Sequence, residues 1–262
     1  MNRDALTPHW NETNTRLLGG MVAVMVVMTL IAFALRWRGR SEKGRTLARD
    51  FGARTLGWWL LVLTILPAVL AGGWIVLAGF GLVVLVAWGE FNRVLVSGSG
   101  PGWRWLGFLF CVLLLGCAPA LALHFSPTWL FYVLVVVQAG DVLQYVCGKA
   151  FGRHPFAPWL SPKKTWEGYV GGLAGTALLG AALAPVVGLD PAAGAGWGFG
   201  LGLAGSAAGM VTSAVKRCHG VKDFGTWLPG HGGLLDRIDS LCGAAPFAYL
   251  LLASGWVNSA GQ

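Results

Sequence analysis

"WLFYVLVVVQAGDVLQYVC", residues 129–147, decides the class of fold. Nineteen positions carry one charged side chain, Asp141. The run is too long for a buried strand, since strands rarely exceed about ten residues. It also lacks the apolar–polar alternation of a membrane barrel. As a helix at 1.5 Å per residue it rises about 28 Å, close to the ~30 Å hydrocarbon core of a bilayer. Backbone groups in lipid must be satisfied within the segment, so a spanning helix is the reading.

The rest of the chain repeats this character. Of 262 residues, 55% are hydrophobic and 11% charged, and the mean hydropathy is +0.64. A soluble domain carries about a quarter charged residues. The expectation is an all-α polytopic membrane protein of about eight helices (seven to nine). The spans fall near 17–35, 56–71, 73–88, 105–123, 129–147, 169–188, 195–213 and 238–257. The polar stretch 1–16 does not read as a cleavable signal peptide. Residues 1–128 read as an N-terminal transmembrane region. Residues 129–262 read as a catalytic region with loops at 148–168 and 214–237.

Lysine and arginine set the orientation. Loop 36–54 holds seven, 89–104 two, 148–168 four and 214–237 four, which leaves only Arg3 and Arg16 for the other side. The positive-inside rule makes the basic side cytoplasmic and places both termini outside. Topology and anionic headgroups account for the net charge of +8, so no nucleic-acid partner is expected. A multi-pass protein of a bacterial inner membrane, its site facing the cytoplasm, fits this pattern. The five cysteines have no ligand spacing. Forty glycines suit close helix packing in lipid.

Little in the first half suggests chemistry. Glu90, the only acid between residues 51 and 140, reads as a solvated partner of Arg93 at a membrane interface. From residue 138 the polar residues become specific. Asp141 and Gln144 are three apart and share a helix face. A charge inside a span costs about 2.5–3.5 kcal/mol on insertion scales and marks a functional site by default. "SPKKTWEG" (161–168) puts Lys163, Lys164 and Thr165 before an apolar helix. Two ammonium groups and a hydroxyl at a helix start suit a phosphate, though a basic juxtamembrane cluster also attracts anionic lipid.

"KRCHGVKDFGTWLPGHGGLLDRIDS" (216–240) sets seven charged side chains and two histidines between two apolar spans. Asp236 and Asp239 are three apart at the mouth of the last helix, two oxygen ligands suited to Mg²⁺ on substrate phosphates. Lys216, Arg217 and Lys222 are expected opposite them, and Gly230, Gly232 and Gly233 permit close backbone approach. Carboxylates for metal, cations for phosphate and a glycine turn describe phosphoryl or nucleotidyl chemistry on a membrane-borne substrate.

"SAVKRCHGVKDFGTWLPGHGGLLDRID" (213–239) also resembles the long signature of the CDP-diglyceride synthetases, or phosphatidate cytidylyltransferases: S-x-x-K-R, then K-D, then P-G-H-G-G-x-x-D-R-x-D. "SPKKTWEG" and "GKAFGRH" resemble the same family's upstream loop, so the likeness spans about 138–245. It implies CTP plus phosphatidate giving CDP-diacylglycerol and pyrophosphate, with Mg²⁺ and room for a second cation. It implies that Lys216, Arg217, Lys222, Asp223, His231 and Asp236 are catalytic. Ser213, Lys163, Lys164, Thr165 and Arg237 would bind CTP and phosphate, and Asp236, Asp239, Asp223 and Asp141 would serve the metal. The expected partners are CTP, phosphatidate and the bilayer, with a homodimer left open. In the usual pattern a Gly-Asp pair shortly precedes the signature serine; here the Asp position is Gly209. The alternatives are a transferase or kinase for another lipid or polyprenyl phosphate, a non-catalytic homologue, and a transporter.

Overall fold

The computed structural model describes residues 73–95, 101–225 and 232–255, with helical positions at 26, 29–30, 33–34 and 36–37. The expected spans 17–35 and 56–71 therefore lie outside the continuously described residues. Helix α1 is Gly73–Leu95 and α2 is Pro101–Ala120, followed by a π-turn at Leu121–Phe125. Helix α3 is Pro127–Phe151. Strands β1 (Pro155–Ala157) and β2 (Ser161–Thr165) lead into α4, Trp166–Leu183, which ends in a 3-10 turn at Ala184–Val187. Helix α5 is Pro191–Cys218, α6 the single turn Leu235–Ile238, and α7 Leu241–Ala253.

Four described segments are long and apolar enough to cross a membrane: Ile75–Leu95, Pro127–Phe151, Trp166–Val187 and Pro191–Cys218. All four extend past the expected spans at one end or both. Hydropathy marks only the lipid-facing part of a helix, whereas the hydrogen-bond ladder continues until a cap or a Pro or Gly stops it. Ser126 accepts from Trp129 N–H (3.3 Å) and Pro127 opens α3. Asp190 accepts from the N–H groups of Ala192 and Ala193 (2.9 and 3.0 Å) ahead of Pro191. These are the residue types that satisfy the free N–H groups of a first turn. The last span starts later than 238 because a two-residue turn at Asp239–Ser240 separates α6 from α7. The all-α expectation holds apart from an antiparallel hairpin that pairs Pro155 with Thr165 and Ala157 with Ser161.

Helices α3, α4 and α5 pack in sequence. Glycine sets the closeness of α4 to α5: a Cβ at Gly180 would come 2.8 Å from Gly198 Cα, and one at Gly194 or Gly198 would strike the α4 backbone. Small residues let helix backbones approach where lipid supplies no hydrophobic drive. Buried Tyr132 of α3 fastens this contact by placing its hydroxyl 3.2 Å from both the Gly180 and the Gly194 carbonyls. The buried core runs without a break from Val76 and Phe80 in α1 to Ala248 and Leu252 in α7. The chain reverses at each connection. The C-terminal ends of α3 and α5, the hairpin, the start of α4 and the α6–α7 turn therefore gather at one end of the bundle.

Candidate active site

That end holds a cavity of about 610 Å³. Asp141, Gln144 and Lys149 reach it from α3, and Lys163, Lys164 and Thr165 from β2. Gly209 and Ser213 line it from α5, and Asp236, Arg237, Asp239 and Ser240 from the α6–α7 turn. Segments up to a hundred residues apart thus present three acids and four bases to one space.

The acids differ in their bonding. Asp236 is nearly saturated. Its Oδ1 meets Lys216 Nζ at 2.7 Å, and its Oδ2 accepts from the N–H groups of Phe224 (2.8 Å) and Gly233 (2.9 Å). The side chains of this ion pair are 5% and 10% exposed. Lys216 Nζ also lies 5.2 Å from the centroid of the Phe224 ring. Asp239 accepts from Thr212 Oγ1 (3.0 Å) and from Ser240 N–H (2.9 Å). Asp141 accepts from Ser240 Oγ (2.7 Å) and lines the cavity. Asp141 and Asp239 are close enough to repel each other, and Lys164 offsets the charge on both.

The basic residues rearrange the expectation. Lys163 and Lys164 stand on a strand, not on a loop before a helix. Thr165 ends that strand and accepts from Gly168 N–H (3.2 Å), so one hydroxyl both caps α4 and faces the cavity. Glu167, in the first turn of α4, accepts from the N–H groups of Arg153 and His154 and meets His154 Nδ1 at 2.6 Å, which ties the hairpin to the helix. Lys149 does not pair with Asp141; its Nζ donates to Tyr145 Oη (3.3 Å) at the cavity rim. Gln144 donates to Ser206 Oγ (2.7 Å) and Ser213 donates to the Gly209 carbonyl (2.7 Å).

Four expected catalytic residues, Lys216, Arg217, Lys222 and Asp223, are not among the residues lining the cavity. Arg217 donates to the carbonyls of Leu160 (3.1 Å) and Val221 (3.0 Å), holding the hairpin against the end of α5. Lys222 and Asp223 are exposed, with Asp223 packed beside Gly232, whose φ of 76° only glycine adopts readily. Lys216 meets Asp236 as expected, whereas in the cavity itself the positive charge comes from Lys149, Lys163, Lys164 and Arg237 rather than from Arg217 and Lys222. His231 lies outside the described residues.

Glu90 requires a correction. It is 2% exposed and bonded to the signature segment, accepting from the N–H groups of Leu234 (2.9 Å) and Leu235 (2.8 Å), while Arg93 is exposed. The available signal was an acid alone in an apolar span, the pattern that also singled out Asp141. Gln138 of α3 makes a second such tie, donating to the Arg237 carbonyl (3.1 Å).

A divalent metal fits part of this donor set. Among the described residues no cluster of three or more His, Cys, Asp or Glu is placed to hold an ion. Mg²⁺, however, commonly takes one or two protein carboxylates and completes its shell with water and substrate phosphate. Asp141 and Asp239 meet that requirement. Asp236 would first have to release Lys216. Gly209 faces the same spot: a Cβ there would lie 3.8 Å from Lys164 Nζ and 4.0 Å from Asp239 Oδ2.

The chain is similar to known proteins along most of its length. The model of the cytidylyltransferase family matches residues 13–254. A phosphatidate cytidylyltransferase of Pseudomonas aeruginosa is 34% identical over 271 aligned residues, covering 92% of this chain and 91% of the relative. One from Mycobacterium bovis is 33% identical over 259, covering 88% and 79%. One from Brucella abortus is 35% identical over 210, covering 76% and 73%. The chain belongs to the cytidylyltransferase family.

Proposed function

From membership of that family, we propose that this protein transfers the cytidylyl group of CTP to phosphatidate, forming CDP-diacylglycerol and pyrophosphate in phospholipid biosynthesis. The observation that carries the reading is the single cavity in which Lys149, Lys163, Lys164 and Arg237 face Asp141 and Asp239 at one end of a membrane bundle. A phosphate oxygen of the lipid attacks the α-phosphorus of CTP; the bond to the β-phosphate breaks and pyrophosphate leaves. The nucleophile is already an anion, so no general base is required. The protein's work is positioning and charge neutralisation, as in other phosphoryl-type transfers. Lys163 and Lys164 bind the triphosphate and the departing pyrophosphate, Lys149 and Arg237 contact the lipid phosphate, and Ser213 orients a phosphate oxygen.

Asp141 and Asp239 are the residues to hold Mg²⁺, which when bound would neutralise triphosphate charge and polarise the α-phosphorus. Asp236, assigned to metal on sequence grounds, fixes Lys216 and the turn beneath the site. The basic loops support a reading with this end in the cytoplasm, about eight spans, both termini outside, and a bacterial inner membrane as the setting. The acyl chains enter sideways between helices and leave the phosphate at the mouth.

The test is pyrophosphate release by the purified protein with CTP, Mg²⁺ and phosphatidate, each omitted in turn, with Asp239→Asn alongside. Release that needs all three and is lost in the variant is expected. Release without phosphatidate, or full activity in Asp239→Asn, would overturn the assignment.

A further inference from the structure

We infer that Glu90, in the half of the chain that carries no signature residues, is the positioning residue for the Gly232–Asp236 turn. Three successive amides of that turn each point at a carboxylate: Gly233 N–H at Asp236 (2.9 Å), Leu234 N–H at Glu90 Oε1 (2.9 Å) and Leu235 N–H at Glu90 Oε2 (2.8 Å). Glu90 uses both oxygens, one for each of the two successive amides. Asp236, held by the same turn, then fixes the Lys216 ammonium. The next residue on α1, Phe91, stacks on Phe224 at 5.6 Å, and Phe224 supplies another N–H to Asp236. Two adjacent side chains of α1 therefore fix the turn from below, and Arg237, Asp239 and Ser240 follow it directly into the cavity.

Two glycines of the signature segment have a physical reason in this contact. A Cβ on Gly225 would lie 2.5 Å from Glu90 Oε1, and a methyl on Gly233 would collide with the same carboxylate. The φ of Gly233 is not positive, so its backbone does not demand glycine. What excludes a side chain there is the glutamate. Glu90 acts through the backbone and touches no substrate. Its removal leaves the Lys163 and Lys164 side of the site intact, so turnover falls and CTP affinity is kept.

This rests on the proposed cytidylyl transfer, and the experiment separates the two. Glu90→Gln, Glu90→Ala, Gly233→Ala and the double variant Glu90→Ala/Gly233→Ala are purified in detergent beside the parent. Each is assayed for kcat and for KM toward CTP, and for amide hydrogen exchange peptide by peptide. Glutamine offers one acceptor and sets its NH₂ against the second N–H. Glu90→Gln is therefore expected to lower kcat by roughly tenfold or more, as misplacement of a reacting group does, with KM for CTP within about twofold. Its exchange rises in the 232–240 peptide and is unchanged in α4 and α5. Gly233→Ala is expected to be as impaired, and to cost little further once Glu90 is alanine, because the space has been vacated. Parental kcat in Glu90→Gln overturns the inference. So does faster exchange throughout the bundle, or an equal cost of Gly233→Ala in both backgrounds. If the parent itself turns over no substrate the function reading falls, and the exchange pattern and its dependence on Gly233 still decide the role of Glu90.

Discussion

Asp236 and Lys216 illustrate how a side chain's surroundings decide what it can do. Both lie almost out of water, and each is the other's charge partner. Removing one member of a buried pair strands the other and typically costs about 3–5 kcal/mol. Asp236→Asn should therefore lose activity and also lower the thermal midpoint in detergent. Lys216→Met/Asp236→Leu should recover much of the midpoint and none of the activity. A midpoint for Asp236→Asn equal to the parent's would contradict the buried pair. Gly209 is the converse case, a position open toward Lys164 and Asp239 at ordinary contact distance. An aspartate there adds a third carboxylate beside Asp141 and Asp239. Gly209→Asp should fold normally and lower the Mg²⁺ concentration needed for half-maximal activity; an unchanged Mg²⁺ requirement would place the metal elsewhere.

At the scale of elements, the hairpin and the start of α4 form one unit, joined by the Thr165 cap and by Glu167 to His154. Loss of a capping hydroxyl costs about 1 kcal/mol. Thr165→Val should destabilise by about that amount and raise KM for CTP, while Thr165→Ser should match the parent in both; melting and kinetics on the three proteins check it. Tyr132→Phe separates packing from chemistry. It deletes the bonds to the Gly180 and Gly194 carbonyls, worth about 1 kcal/mol, and should leave KM untouched. The elements were legible to different degrees. Hydropathy located the four long spans among the described residues because lipid leaves helices no choice, but missed their polar extensions, where Ser126, Asp190 and Thr165 set helix starts. The hairpin escaped because its five-residue strand, "SPKKT", has no apolar alternation. What holds it is Arg217 and Glu167, from other parts of the chain.

Across the whole molecule, the site is where the reversal from α3 into α4 meets the one from α5 into α6 and α7, and that convergence was only half visible in sequence. The signature residues announced the chemistry. Sorting them into those that face the cavity and those that brace it required the fold. Lys149 and Gln138 carried no special spacing. Arg217 and Lys222 looked equivalent to Lys163, because composition cannot say which way a side chain turns. The orientation of the bundle is testable through Cys218, exposed at the site end of α5. With the other cysteines replaced, a membrane-impermeant maleimide should label it in inside-out vesicles and spare it in intact spheroplasts. The reverse pattern would place the cavity outside.

The central claim, that a cytidylyl group passes to a lipid phosphate in this cavity, is tested most directly by following the phosphorus of CTP. Purified protein is given phosphatidate and Mg²⁺ with CTP labelled either at the α- or at the γ-phosphorus. Cytidylyl transfer puts the α-label into the lipid and the γ-label into pyrophosphate. A γ-label in the lipid would instead make the protein a kinase and contradict the account.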